Sequence, residues 1–510
     1  MYPGLHATTS PDKPAVIFAD SGTVLTYREL DDNSAALARV LHDAGLRRGD
    51  VVAVLSDNRA EVMEVYWAAH RSGLYITAIN HHLTAGEAAY IVRDSGARAL
   101  IVSGSLADLA VEVTAEVGPL DSMLAFGAAV PGFADYNEAL KSAGPRLAEQ
   151  PAGTVMLYSS GTTGFPKGIK PPLPRRNIDD PGDPILAIAG ALYKLGADDV
   201  YLSPAPIYHA APLRWCGMVQ SLGATVVLMS KFDAEAALKY IEKYRVTASQ
   251  MVPTMFVRML KLDEEIRNRY DVSSMRVLIH AAAPCPVDVK RAMIDWFGPV
   301  VYEYYSSTEA HGMTFINSEE WLAHPGSVGR SVLGVLHICD DEGNELPAHS
   351  VGTVFFERDF MPFEYHNDSE KTTSAQHPAH SNWTTVGDLG YTDEDGYLYL
   401  ADRKSFMIIS GGVNIYPQET ENVLAMHPAV FDVAVIGVPN PEMGEEVIAL
   451  VQLAPWASGS AELAEELITY ARDRIAHFKA PRTVDFVDSL PRTPTGKLAK
   501  GKLKEKYWPG

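Results

Sequence analysis

The chain has 510 residues, 47% hydrophobic and 21% charged, which supplies enough apolar material for large buried cores and more than one domain. A formal net charge of −21 weighs against a nucleic-acid partner, because the electrostatic attraction that carries such binding would be repulsive over most of the surface. Cys216, Cys285 and Cys339 lie far apart with no CxxC pair, so neither a zinc site nor a disulfide framework is expected and a reducing cytoplasm fits. The N-terminal stretch MYPGLHATTSPDK has no basic start followed by an apolar run, and no later segment has the uninterrupted apolar length of a membrane span. A soluble, cytoplasmic protein with no stable membrane insertion is the expectation.

From Pro14 onward, short apolar runs alternate with helical patterns. AVIFA and a turn at Asp20-Ser21-Gly22 lead to LTYRELDDNSAALARVLHDAG, where Leu30, Ala35, Leu37, Leu41 and Ala44 form one apolar stripe and Gly45 ends the helix. The run VVAVLS, a helix ending near Gly73, the run LYITAI and a helix over 84–95 leading to ALIVS repeat the alternation. Strands joined by crossover helices imply a largely parallel sheet. TVMLYSS then reads as a strand feeding Ser159-Ser160-Gly161-Thr162-Thr163-Gly164-Phe165-Pro166-Lys167-Gly168. The glycines let the backbone approach an anion, the hydroxyls add donors and Lys167 adds a mobile positive charge. This is a phosphate loop, although Pro166 before Lys167 departs from the Walker A pattern.

Residues 170–184 are rich in Pro, Gly and charge and read as an exposed loop. A second αβ series follows: VYLSPAPIYH, a helix after Pro212, ATVVLMS, a helix over 234–244, ASQMVPTM, a further helix and RVLIHAAAP. VVYEYYSSTE is another strand, ending in a polar cluster. After Gly326, short strands with turns at Glu342-Gly343-Asn344 and Asp395-Gly396 suggest a β-rich subdomain. The last hundred residues form a compact βα unit with a helical pattern at 461–475, the strand VDFVD and a basic tail.

Several clusters bear chemistry, and each has a plainer reading beside it. Tyr302-Glu303-Tyr304-Tyr305-Ser306-Ser307-Thr308-Glu309 combines aromatic faces, hydroxyls and a carboxylate suited to a nucleotide and magnesium; alone, Ser306-x-x-Glu309 reads rather as a capping box that starts a helix. Asp388 in Gly387-Asp388-Leu389-Gly390 suits ribose hydroxyls or a surface turn. Gly411 and Gly412 either admit a ligand or make a hairpin turn, and Lys497 in RTPTGK is either a site lysine or part of a solvated tail. His366, His377 and His380 are too loosely spaced to suggest a metal cluster.

Taken in order, SSGTTGFPKG, EYYSSTE, GDLG, DRK with ISGGVNIYP, and RTPTGK resemble the adenylate-forming superfamily of acyl-CoA synthetases, luciferases and peptide-synthetase adenylation domains. The resemblance runs from Leu25-Thr26-Tyr27 to Lys497. It implies an α/β fold: a large N-terminal domain, 1–403, of largely parallel sheets flanked by helices plus a β-rich subdomain, and a small mobile α+β domain, 404–510. ATP would bind between the two. Ser159, Ser160, Gly161, Thr162, Thr163, Gly164 and Lys167 would hold its β- and γ-phosphates. Ala281, Ala282, Ala283, Tyr304, Tyr305 and Ser306 would line the adenine, and Gly411 and Gly412 would approach the nucleotide. Thr308 would contact the α-phosphate, Glu309 would bind Mg2+, and Asp388 with Arg403 would hold the ribose. Lys497 would bridge the acyl carboxylate and the α-phosphate.

The same likeness implies an ATP-dependent ligase that forms an acyl-AMP and passes the acyl group to coenzyme A. Its partners would be a small carboxylic acid and coenzyme A, with a homodimer as an admissible assembly. The alternatives are delivery to a carrier protein's phosphopantetheine and an inactive nucleotide-binding regulator; the presence of Lys167, Glu309, Asp388 and Lys497 speaks against the latter. The acyl pocket would be lined by His209, Leu213, Trp215, Met251, Val252 and Tyr304, mainly apolar and suited to a hydrophobic acid. His209 is either the gate to that pocket, and thus part of the catalytic set, or a half-buried structural histidine. Two departures stand out: Ser405 and Phe406 occupy the hinge where relatives carry charge, and Tyr304-Tyr305-Ser306 replaces Gly-Tyr-Gly.

Overall fold

The computed structural model describes residues 2–159, 166–181, 184–403, 406–492 and 498–507. It divides into two compact units, one of Met1–Met251, Arg258–Ile279 and Pro362–Thr372, the other of Val252–Val257, His280–Met361 and Thr373–Gly510.

The first unit is built on parallel sheets. One has six strands in the order Ala134–Asp135, Ser122–Phe126, Ala97–Ser103, Val51–Leu55, Tyr75–Ile79 and Thr154–Val155, every pairing parallel. All five residues of Val51–Leu55 and of Tyr75–Ile79 are buried, as strands covered on both faces must be. Connecting helices start where the sequence provides caps. Thr26 with Glu29 and Thr84 with Glu87 form reciprocal capping boxes on the helices Tyr27–Asp43 and Ala85–Asp94. Leu30, Ala35, Leu37 and Leu41 face the core of the first helix, and Gly45 follows it with φ +97°. A second sheet runs Val24–Thr26, Pro14–Phe18, Thr225–Leu228, Val200–Ser203, Ala248–Met251, parallel apart from the first pair. A small antiparallel sheet carries Leu157–Ser159, Lys167–Lys170 and Glu364–Tyr365.

Within 170–184, the described residues 170–181 depart from a simple exposed loop. The Ala152 and Ile178 amides donate to the Arg176 and Gln150 carbonyls, and Ile178 is buried. The helix Pro184–Tyr193 follows, which the Pro- and Gly-rich stretch before it gives no reason to expect. The helix assigned after Pro212 begins earlier, spanning Ala210–Ser221, because proline is tolerated in a helix's first turn.

The second unit is mainly antiparallel. Val301–Tyr305, Met313–Ile316 and Arg330–Leu333 form one ladder. Val335–Cys339, Gly352–Glu357, Asp388–Thr392 and Leu398–Arg403 form another, joined by Trp383–Thr384. A last sheet orders Val413–Ile415, Ile408–Ser410, Gly444–Leu453 and Val430–Asn440, with Thr483–Phe486 added in parallel, and packs the helices Pro417–Leu424 and Ala461–Arg472 over its core. Gly411 and Gly412, with φ of +58° and +79°, are the two-residue turn of the hairpin between its first two strands, so the plainer of their two readings is the local structure observed.

Candidate active site

In the second unit, the strand Val301–Tyr305 delivers its polar cluster into a turn rather than a helix. The Ala310 amide bonds to the Ser307 carbonyl, Ser306 Oγ donates to the Gly312 carbonyl at 2.7 Å, and the next strand starts at Met313. The capping-box reading of Ser306 and Glu309 therefore fails. Ser307 Oγ and His311 Nδ1 lie 2.8 Å apart, and Arg358 donates to the Ala310 carbonyl at 3.2 Å. Ala310 holds φ +52°, and a Cβ at position 312 would lie 2.0 Å from the Phe356 ring, so both the turn and its glycine are sterically prescribed. The turn carries half-buried Thr308 and buried Glu309.

Tyr305 Oη donates to Asp388 Oδ2 at 2.7 Å. Asp388 opens its strand just after Gly387, which holds φ +82°, and faces Arg403 across the antiparallel ladder. Tyr305, Asp388 and the backbone of Arg403 are thus brought together, with Thr308 and Glu309 on the turn that continues from the tyrosine's strand. Half-buried Tyr304 and Ser306 flank it. Burial lowers the His311 pKa to about 4, against the pull of Glu309 and Asp388, so this histidine is neutral beside two carboxylates. Sequence reasoning missed His311, Phe356 and Arg358; the only signal was that His311-Gly312 directly follows the polar cluster. Ala281, Ala282 and Ala283 form the loop after the strand Val277–His280, with Ala282 at φ +74°, an unusual conformation for a residue bearing a Cβ.

Glu309 fits magnesium by the chemistry of its donor. Among the described residues no group of three or more His, Cys, Asp or Glu is arranged to hold a metal, and Mg2+ is commonly held by one or two carboxylates completed by substrate phosphates and water.

In the first unit, Lys167 pairs with Ser159 and Gly168 with Tyr158 across a hairpin, and the Tyr158 hydroxyl donates to Asp94 at 2.6 Å. Ser160, Gly161, Thr162, Thr163 and Gly164 lie outside the described residues, as do Lys404, Ser405 and Lys497 and the side chains of Ser159 and Arg403. The segment Pro206–His209 leads into the helix Ala210–Ser221. There the Tyr208 ring sits edge-on to His81 with centroids 5.1 Å apart and 4.5 Å from the ring of His209. Leu213 and Met251 are fully buried, and Trp215 stacks on Tyr201 with 6.0 Å between centroids. Burial, then His81 and His82, lower the His209 pKa to about 3. Val252, also buried, and Tyr304 belong to the second unit.

The chain as a whole has counterparts among known proteins. The model of the AMP-binding enzyme family matches residues 5–365, and that of the AMP-binding enzyme C-terminal domain matches residues 419–497. The chain belongs to the AMP-binding enzyme family. It is 31% identical to the fatty acid–[acyl-carrier-protein] ligase ScoC of Streptomyces coeruleorubidus over 99% of this chain and 95% of that one. It is 33% identical to a feruloyl-CoA synthase of an Amycolatopsis species over 99% and 98%. The crystal structure of an anthranilate CoA ligase in complex with anthranoyl-AMP superposes with a TM-score of 0.85 at 25% identity, covering 99% of this chain and 96% of that one. The AMP-binding enzyme described here lies in the acyl-CoA synthetase branch of the adenylate-forming superfamily and shares its α/β fold, a large N-terminal domain of sheets and helices with a C-terminal domain. Its activity is that of an AMP-forming acyl-adenylate ligase.

Proposed function

We propose that the protein is an ATP- and Mg2+-dependent ligase that activates a hydrophobic carboxylic acid as its acyl-AMP and transfers the acyl group to coenzyme A. The observation that carries the nucleotide part is the bond between Tyr305 and Asp388, with Arg403 opposite Asp388 in register. A carboxylate that accepts from the tyrosine keeps further lone pairs for ribose hydroxyls, while the ring face offers a stacking surface for adenine.

A carboxylate resists acyl transfer because its leaving group would be oxide, so attack on the ATP α-phosphate first converts it into a mixed anhydride. The hydroxyl-rich loop 159–168 and Lys167 grip the departing pyrophosphate. Thr308 and Lys497 donate to the α-phosphate oxygens as charge grows on them. Glu309 would hold the magnesium ion, which supplies further charge neutralisation. The acyl carbonyl then meets a thiol, and AMP leaves. Adenylation needs Lys497 inside the site and thioester formation needs a channel for the thiol, so residues 404–510 would turn against 1–403 about a pivot at 404–406.

The acid is read as hydrophobic from Leu213, Trp215 and Met251, all buried. Relatives acting on fatty and ferulic acids support this. The similarity to an acyl-carrier-protein ligase favours a second reading, delivery to a carrier-protein thiol. Pyrophosphate release from ATP across a panel of carboxylates, followed by thioester formation with coenzyme A or with a loaded carrier protein, tests both. Preference for free amino acids would overturn the hydrophobic-acid reading.

A further inference from the structure

We propose that Asn58 is a positioning residue that sets the loop Pro206–His209 for the acid. The inference rests on the reading of that loop as one wall of the acyl site. Asn58 is 3% exposed and lies just beyond the strand Val51–Leu55 of the six-stranded sheet. Its Nδ2 donates to the Ala205 carbonyl at 3.1 Å and to the Met229 carbonyl at 2.8 Å, and its Oδ1 accepts from the Ile207 amide at 2.9 Å. Met229 directly follows Thr225–Leu228 and Ala205 lies two residues beyond Val200–Ser203, neighbouring parallel strands of the other sheet. One side chain therefore clamps together the carboxyl ends of strands from two sheets, the edge at which α/β proteins place their ligands.

The residues around Asn58 extend the same clamp. The Ser56 carbonyl accepts from His81 Nδ1 at 3.1 Å, and Asp57 Oδ1 accepts from Ser105 Oγ at 3.1 Å, which fastens the loops after two more strands. His81 in turn packs edge-on to Tyr208. Two residues beyond Ile207, His209 takes the extended conformation that opens the helix Ala210–Ser221 without any side-chain cap of its own. The placement of Tyr208 and His209 is thus inherited from the bond at Ile207.

Only a primary amide fits these three partners. It presents two donors to two carbonyls and an acceptor to one N–H, whereas a carboxylate would set lone pairs against carbonyl oxygens and an apolar group would leave three backbone groups unpaired. Asn58 touches no reacting atom in this scheme; it acts through the loop.

The test measures pyrophosphate release by the full-length protein with acid and ATP varied separately, for wild type, Asn58→Ala, Asn58→Asp and the milder Asn58→Ser. The control is Asn33→Ala, which removes another amide bond of the same unit, from Asn33 Nδ2 to Glu64 Oε1 at 2.8 Å. Asn58→Ala and Asn58→Asp should raise KM for the acid by about tenfold or more, with KM for ATP changed by less than about twofold. Asn33→Ala should leave both unchanged at a comparable loss of thermal midpoint. An unchanged KM for the acid, or a joint rise for acid and ATP, overturns the positioning role. So does failure of all three Asn58 variants to fold, which would make Asn58 a general support of the fold. A wild type that releases pyrophosphate with no carboxylate would instead defeat the functional reading on which this inference stands.

Discussion

Lys290 and Glu303 form a buried ion pair, with Nζ and Oε2 2.6 Å apart, two residues before the tyrosine that bonds Asp388. The pair ties the helix Val287–Phe297 to the strand Val301–Tyr305. Trp321 lies 4.9 Å from the ammonium, measured to its ring centroid, and His280 Nε2 is 3.4 Å from the same carboxylate oxygen. The helix follows the Ala281–Ala283 loop and the strand leads into the turn with Thr308 and Glu309, so the pair braces two segments read as contacting the nucleotide.

Removing one partner of this pair should be far worse than removing both. Burial raises the Glu303 pKa and Lys290 opposes that rise. Near pH 8, Lys290→Met should destabilise by about 3–5 kcal/mol, while Lys290→Met with Glu303→Gln should recover much of the loss. Without the lysine, Glu303 escapes charge burial only by holding a proton. The penalty of Lys290→Met should therefore be small near pH 5 and grow toward pH 8, and thermal midpoints at the two pH values check this. Equal penalties at both would show that the carboxylate is stabilised by other groups.

Tyr305→Phe keeps the ring and deletes the hydroxyl bonded to Asp388, whereas Tyr305→Ala removes the ring as well. A neutral side chain bonded to a carboxylate contributes about 1.5–3 kcal/mol, so Tyr305→Phe should raise KM for ATP by roughly 10-fold to 100-fold. Tyr305→Ala should cost more, and neither should change the ranking of carboxylic acids. A changed acid preference would place Tyr305 in the acyl pocket instead.

How much of this was legible in the sequence differed by residue. VVAVL at 51–55 and the helical pattern over 84–95 are local signals, and both fold as their patterns dictate. Lys290 was not legible, since nothing local in KRAMIDWF marks its lysine as buried; its partner comes from a strand it meets only after folding. Asn58 was hidden for the same reason, because its three partners converge only when two sheets present their strand ends together. At Ser306 the local cap rule lost to Gly312 and Phe356, which turn the chain back into a strand. The motifs themselves were readable because their chemistry is compressed into contiguous residues, whereas the groups that brace them are scattered.

His209 should not supply the acid limb of any pH–rate profile. With its pKa lowered to about 3, it remains neutral from pH 5 to 9. The profile of His209→Ala for adenylation should thus be lower in amplitude for bulky acids but parallel to that of wild type. A limb near pH 6 in wild type that vanishes in the variant would show that this imidazole titrates in the working range.

Glu64 gives the fold a pH dependence of its own. Its carboxylate accepts from Asn33 and from Tyr136 Oη at 2.8 Å each, yet burial raises its pKa from 4.5 to about 7. The nearby charged groups, Glu61 and Glu29, push the same way. Below pH 4.5 the group is protonated in both folded and unfolded chains. Between pH 4.5 and 7 the folded state holds the proton that the unfolded state releases, so this group's contribution to stability falls as pH rises and levels off above 7. Glu64→Gln, whose amide can still accept from Asn33 and donate to Tyr136, should remove that slope. Denaturant midpoints of wild type and variant should therefore diverge in the variant's favour from pH 5 to pH 8, and a constant difference would mean that Glu64 ionises in the folded protein as readily as in the unfolded one.

In the proposed mechanism Lys497 serves one half-reaction only. Its ammonium meets charge that develops on the α-phosphate oxygens and the acyl carboxylate during adenylation, while displacement of AMP by a thiol takes place after residues 404–510 have turned it away. Lys497→Ala should lower pyrophosphate release by about 10²–10³-fold, the scale of losing one transition-state donor. The same variant, given a synthetic acyl-adenylate and coenzyme A, should form the thioester at close to the wild-type rate. Equal losses in the two assays would remove both the role of Lys497 and the reason for the rotation.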